Sequence, residues 1–280
     1  CGKFLGSLGH ERQDADVWAS WGVDYLKYDL CSYELTMPKE PTVADHQKPY
    51  QVMNAALKAQ SRDIVFSLCQ YGNKEVWKWG HEVGGNLWRT TGDIEDSWSS
   101  VKEIIDTQHL SSPFAAPGRW NDPDMLVVGE VGWGGELHPS RVTPDEQYSH
   151  ISLWSLLAAP LLLGNELTHL DPFTRNLLTN DEVIAINQDP AGHAAQRAYR
   201  QDGWDIWVRE LSGGGKAIGI FNFGNSYRRL RPAGLVDALP PGVAIRDAWR
   251  QKNLGKLSAD TEVGIPEHGV LLLTIPPVHH

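Results

Sequence analysis

Two aspartates, each ending a strand-like segment with a cation close by in sequence, are spaced so that they could act on one bond. Asp29 lies in the run Lys27-Tyr28-Asp29-Leu30-Cys31, and Asp93 closes Trp88-Arg89-Thr90-Thr91-Gly92-Asp93. Glycoside hydrolysis needs two carboxyl groups facing each other across one bond. One attacks, or activates the attacker, and the other delivers a proton to the leaving oxygen. Taken singly, each residue also has a plain reading: Asp29 as a strand-end turn cap, Asp93 as a helix cap. For Asp93 the second is weakened because Glu95 and Asp96 sit closer to the helix start at Ser97.

The elements that must position these groups alternate along residues 1–190. Helical patterns over 14–21, 50–61, 74–82, 97–109 and 143–159 are interleaved with strand patterns over 24–30, 64–70, 86–92, 119–124 and 160–164. Thr143-Pro144-Asp145-Glu146 is a strong helix start: Thr as N-cap, Pro at the first helical position, Glu closing a capping box. Repeated βα units predict a parallel sheet, doubly wound or closed as a barrel. Lys27/Asp29, Gln70, Arg89/Asp93 and Asp122/Asp124 all end or follow strands. In a (β/α)₈ TIM barrel that edge is the active-site face. No Gly-rich dinucleotide turn follows any strand, which weakens the Rossmann alternative and an oxidoreductase function with it. Only five βα units are present, so about three more, on the order of 100 residues, are expected before Cys1.

After about residue 190 the pattern becomes short β runs at 204–210, 216–223, 243–249 and 269–275. That predicts two domains: 1–190, the C-terminal part of a (β/α)₈ barrel covering roughly strands 4–8, and 191–280, an antiparallel β domain. Gly213-Gly214-Gly215-Lys216 reads as a hairpin turn between two of its strands, since it lacks the spacing of a phosphate loop.

Composition narrows the partners. The 280 residues carry a net charge of −10, which argues against nucleic acid. No apolar run approaches the ~20 residues that span a bilayer, so no membrane partner is expected. Twelve Trp tilt toward carbohydrate, because indole faces stack on sugar rings, although core or barrel-rim packing is the plainer reading of most of them. Three cysteines with no CxxC pair, and His81-Glu82 without the HExxH spacing, predict no metal site and no cofactor.

At Lys27–Cys31, 67–71, 88–96, 120–125, 153–165 and 183–190 the chain resembles glycoside hydrolase family 27, the α-galactosidase and α-N-acetylgalactosaminidase family. The segments are collinear with the family's motifs and spread over most of residues 1–190. The resemblance implies a (β/α)₈ barrel followed by an antiparallel β-sandwich. It implies a retaining exo-glycosidase removing terminal α-D-galactosyl residues, with Asp29 as nucleophile, Asp93 as general acid/base, and carboxyl groups about 5–5.5 Å apart. Lys27 would favour ionised Asp29. Lys27, Cys31, Gln70, Arg89 and Asp124 would line the sugar site, with Asp122 structural.

The resemblance further implies a Cys1–Cys31 disulfide, hence a secreted or periplasmic protein. Cys69 should then be a free, buried thiol. Gln70-Tyr71 departs from the family's common Glu-Trp. Gln70, at the position that reads the sugar's C2 substituent, favours a free 2-hydroxyl. The alternatives within the family are β-L-arabinopyranosidase and isomaltodextranase-type activity. The family's residues for the 4- and 6-hydroxyls would precede Cys1. An open parallel sheet edge leaves two further possibilities, oligomerisation and a catalytically incomplete carbohydrate-binding fragment.

Overall fold

The computed structural model describes residues 2, 4–132 and 135–277. Its helices are α1 (Glu11–Ser20), α2 (Val43–Lys58), α3 (Trp98–Ser111), α4 (Pro144–Leu156), α5 (Pro172–Leu178) and α6 (Asp181–Asn187). Strands β1 (Tyr25–Asp29), β2 (Val65–Cys69), β3 (Leu87–Arg89) and β4 (Trp120–Asp122) come first. Then follow β5 (Glu130–Val131), β6 (His138–Pro139), β7 (Gln196–Gln201), β8 (Trp204–Glu210), β9 (Lys216–Asn222) and β10 (Arg228–Leu230). The last are β11 (Ala244–Asp247), β12 (Lys252–Lys256), β13 (Val263–Ile265) and β14 (Val270–Ile275). The chain packs as two compact units, Cys1–Asp93 with Gly118–Asp124, and Ile94–Pro117 with Met125–His280.

In the first unit β1-β2-β3-β4 form a parallel sheet in sequential order. Its register aligns Tyr28, Leu68, Trp88 and Asn121 in one row. Neighbours in a row share a face, because side chains alternate along each strand. This row points toward the helices. Leu68 and Trp88 are buried with Phe66, and Tyr50, Met53 and Leu57 of α2 close the same core. Trp88 Nε1 donates to Asn121 Oδ1 at 2.8 Å, so the indole is buried with its one donor satisfied. The next row carries Asp29 beside Cys69, and Arg89 beside Asp122, on the opposite face at the C-terminal edge.

The helices of this unit differ from the sequence expectation in two ways. α2 begins at Val43 rather than near residue 50, because Thr42 and Asp45 form a complete capping box. Pro49 is accommodated inside the helix and buried, at the i, i+3, i+4 spacing of His46, Tyr50 and Met53. The expected helix over 74–82 is reduced to a 3₁₀ turn, Val76–Lys78. Lys74 and Glu75 both adopt left-handed φ values (53° and 55°), which a helix cannot include.

The second unit contains the antiparallel sheet β12-β11-β14-β9-β8-β7 and the pair β10-β13. Alternation gives this sheet two buried faces. Ile218 and Ile220 of β9 pack with Leu271 and Leu273 of β14, with Leu230 of β10 and with Ile265 of β13. Ala217, Phe221 and Leu272 instead join a core shared with Ile151, Trp154 and Leu156 of α4 and Val183 and Ile186 of α6. The Gly213–Gly215 run links paired β8 and β9, as a hairpin turn should. The strand expected over 160–164 is a single parallel bridge, Leu163 with Leu126. No helix among the described residues is long and apolar enough to cross a membrane.

Candidate active site

The C-terminal edge of the first unit's sheet gathers the polar groups. Asp29 is the last residue of β1 and half-buried. Its Oδ1 accepts a hydrogen bond from the Tyr71 hydroxyl at 2.6 Å and a longer one from the Cys31 N–H at 3.4 Å. Burial, and then the hydrogen bond to Asp29, hold the Tyr71 phenol well above its ordinary pKa, so it stays a donor. Tyr71 follows β2 by two residues, beyond the strand, and from a left-handed φ of 64° its hydroxyl reaches Asp29. Gln70, one residue earlier, turns away.

Arg89, the last residue of β3, is 1% exposed and organises the other half of the edge. Its guanidinium pairs with Asp124 Oδ2 at 2.7 Å and with Asp93 Oδ1 at 3.1 Å. It also donates to the carbonyls of Gly92 (2.6 Å) and Thr91 (3.4 Å), fixing the loop that carries Asp93. Burial works against its charge, but Asp124, Asp122, Cys69 and Asp93 outweigh burial and hold Arg89 above its ordinary pKa. Asp93 itself projects outward, with 76% of its side chain exposed.

Asp122 and Asp124 have different environments. Asp122 is buried and accepts from the Asp124 N–H at 2.8 Å. Burial pushes its carboxyl up to about 6 despite the nearby Arg89. Asp124 holds a left-handed φ of 81°, which places its carboxylate on Arg89. Cys69 is free and fully buried. Burial pushes its thiol up to about 12, so it is no nucleophile, and the Arg89 guanidinium lies 4.0 Å from its sulfur.

The structure gives the other expected site residues these surroundings. Gln70 has no exposed surface, and its amide donates to the Arg89 carbonyl at 3.4 Å. Arg89 and Asp124, expected to line the sugar site, form a buried ion pair. Lys27 makes no ion pair with Asp29 among the described residues. Its charge acts on Cys69 and Asp122, lowering both. Cys31 is in a disulfide and opens the 3₁₀ turn Cys31–Thr36. Cys1, its expected partner, lies outside the described residues. The residue that sequence reading missed is Tyr71. Strand alternation could not find it, because Tyr71 lies beyond the end of β2 and has a left-handed φ of 64°. No group of three or more His, Cys, Asp or Glu among the described residues could hold a metal ion.

The likeness to known proteins runs the length of the chain. The family model for alpha galactosidase A matches residues 1–189, and that for the alpha galactosidase C-terminal beta sandwich domain matches 201–275. Alpha-galactosidase 2 of Arabidopsis thaliana is 38% identical over 96% of this chain and 64% of its own length. Alpha-galactosidase I from Mortierella vinacea superposes with a TM-score of 0.86 at 31% identity, over 99% of this chain and 74% of that one. A GH27 β-L-arabinopyranosidase from Geobacillus stearothermophilus gives 0.82 at 26% identity, over 98% and 62%. The chain spans about two thirds of the length of the curated relatives it matches. With two family models in tandem and a relative at 38% identity, the chain belongs to the α-galactosidase family, glycoside hydrolase family 27, whose fold is a (β/α)₈ barrel followed by a C-terminal antiparallel β-sandwich.

Proposed function

We propose that this protein removes terminal α-D-galactosyl residues from oligosaccharides or glycoconjugates with retention of configuration. One observation carries the reading: two carboxylates end or follow parallel strands on one sheet edge, Asp29 presented by Tyr71 and Asp93 by the Arg89 clamp. Asp29 attacks the anomeric carbon as Asp93 protonates the departing glycosidic oxygen, leaving a glycosyl ester on Asp29. Asp93 then takes a proton from water, the water oxygen bonds the anomeric carbon, and Asp29 leaves as carboxylate. Arg89 and Asp124 position Asp93, while Lys27 and Cys31 border the sugar. The chain divides near residue 190 into a catalytic part and a β domain whose role is packing. The Cys31 disulfide supports work outside a reducing cytoplasm, secreted or periplasmic.

The test is hydrolysis of 4-nitrophenyl α-D-galactopyranoside by the chain beside its Asp29→Asn variant. Turnover in the first, reduced at least about 10³-fold in the second, is expected for loss of a covalent nucleophile. Turnover of the β-L-arabinopyranoside in preference would overturn the sugar assignment and leave the reaction class standing. No turnover of either by a cooperatively folded chain would sink the reading.

A further inference from the structure

The loop after β2 is built to bring one hydroxyl to Asp29. Tyr71, Gly72, Lys74 and Glu75 all have left-handed φ values (64°, 81°, 53° and 55°) within five residues. Three of these are not glycine, and such backbone persists only where surrounding structure over-determines it. Gly72 shows what does so: a Cβ there would sit 2.2 Å from the Thr90 carbonyl oxygen, so the loop is pressed against the segment between Arg89 and Asp93. Asn73 reaches across to Glu34 in the 3₁₀ turn that follows β1, Nδ2 to Oε1 at 3.4 Å. The outcome of this constraint is the 2.6 Å hydrogen bond from Tyr71 to Asp29 Oδ1.

Resting on the hydrolase reading above, we propose that Tyr71 is a positioning residue for the second half of the reaction: it holds Oδ1 of Asp29, leaves Oδ2 to bond the sugar, and stabilises the carboxylate as it departs. The chemistry follows from charge. Free Asp29 is an anion, and a phenol bonds an anion strongly. Esterified Asp29 is neutral, and the same bond weakens. When water attacks, the bond between Oδ2 and the anomeric carbon breaks and its electron pair returns to Asp29. The water proton goes to Asp93. The phenol keeps its own proton throughout and strengthens its bond as negative charge reappears on Oδ1. Tyr71 therefore lowers the barrier to deglycosylation more than the barrier to glycosylation. Cys31 N–H, at 3.4 Å, is a longer donor to the same oxygen and cannot replace it.

Tyr71→Phe tests this, since it keeps the ring and removes only the hydroxyl. In stopped flow with the nitrophenyl galactoside, the variant is expected to release a burst approaching one nitrophenol per active site. Steady-state turnover should then run about 10- to 100-fold slower than wild type, the cost of one charge-assisted hydrogen bond. The acidic limb of its kcat/KM profile should move to higher pH. A loss of turnover with no burst and an unmoved limb would be a packing effect and would overturn the proposal, as would wild-type kinetics. A double-mutant cycle of Tyr71→Phe and Asp29→Asn, read by denaturant midpoint at pH 7, reports the contact without activity. Non-additive shifts are expected, and additive shifts overturn it. Because wild-type turnover is measured in the same series, an inactive wild type with a coupled pair identifies failure of the hydrolase reading alone.

Discussion

At the scale of single residues, Arg89 carries the arrangement. A guanidinium this deeply buried is tolerated because charged or carbonyl oxygens from Asp93, Asp124, Thr91 and Gly92 surround it. Asp124→Asn isolates the contribution of the clamp. Asparagine tolerates the left-handed φ of 81° and keeps the side chain's volume, so only the negative charge facing Arg89 is lost. The Asp93 loop should then sit less accurately, and turnover of the nitrophenyl galactoside should fall about 10- to 100-fold, with a lower melting temperature. Unchanged kcat in a folded Asp124→Asn protein would remove Asp124 from any positioning role. The spacing of four between Arg89 and Asp93 was legible in the sequence because both lie on one strand and its exit. The bonds from Asp124 to Arg89 and from Tyr71 to Asp29 were not, because they join different strands and depend on backbone signs that no motif prints. The burial of Gln70 was not legible either, because one residue of strand parity separates Cys69 from it and no motif prints which side is enclosed.

Among the elements, the start of α4 was legible, whereas the equally complete box at Thr42 and Asp45 was passed over. α4 starts where Thr143, Pro144 and Glu146 say it must, and both halves of the capping box form. Thr143→Ala should destabilise the fold by about 1 kcal/mol, since one cap is lost. That corresponds to a melting temperature lower by about 2 °C in a chain of this size. A melt indistinguishable from wild type would show the helix start to be held by tertiary packing alone, for which Glu146, bonded at 2.6 Å by His268, is the alternative anchor. The two short helices α5 and α6 went unread although their caps are present: Asp171 before Pro172, and Asn180 before Asp181 and Glu182. Seven residues are too few for a 3.6-residue period to show. The reverse error at 74–82 came from a helical composition overridden by two left-handed residues.

For the molecule as a whole, buried titratable groups set how stability responds to pH, and they pull in opposite directions. His150 on α4 is fully buried and accepts from the Val127 N–H at 3.2 Å, so the ring is neutral, and burial pushes its pKa down to about 3. Between pH 6.5 and 3 the unfolded chain binds that proton and the folded chain does not. The contribution is therefore complete above pH 6.5 and is lost as pH falls toward 3. Asp122 and Asp205 have the opposite sign. Burial raises each to about 6, so each favours the folded state below pH 4 and ceases to do so as pH rises through 6. From pH 6 down to about 4 the two carboxyls more than offset the imidazole. Below pH 4 both states hold those carboxyl protons, and His150 acts unopposed. Asp96, Asp106, Asp171 and Asp189, all held below their ordinary range in the folded state, then add to the loss. Stability should consequently rise modestly as pH falls from 6 to about 4, where the folded chain takes up two of these protons and the unfolded chain one, and fall below pH 4. His150→Gln separates the terms, since its amide oxygen can still accept from Val127 and never protonates. Its denaturant midpoint, whatever its value at pH 7, should decline less than wild type between pH 6.5 and 3. Parallel curves over that window would mean that the imidazole takes up its proton as readily in the folded protein as in the unfolded chain, and the acid limb would then belong to the carboxylates alone.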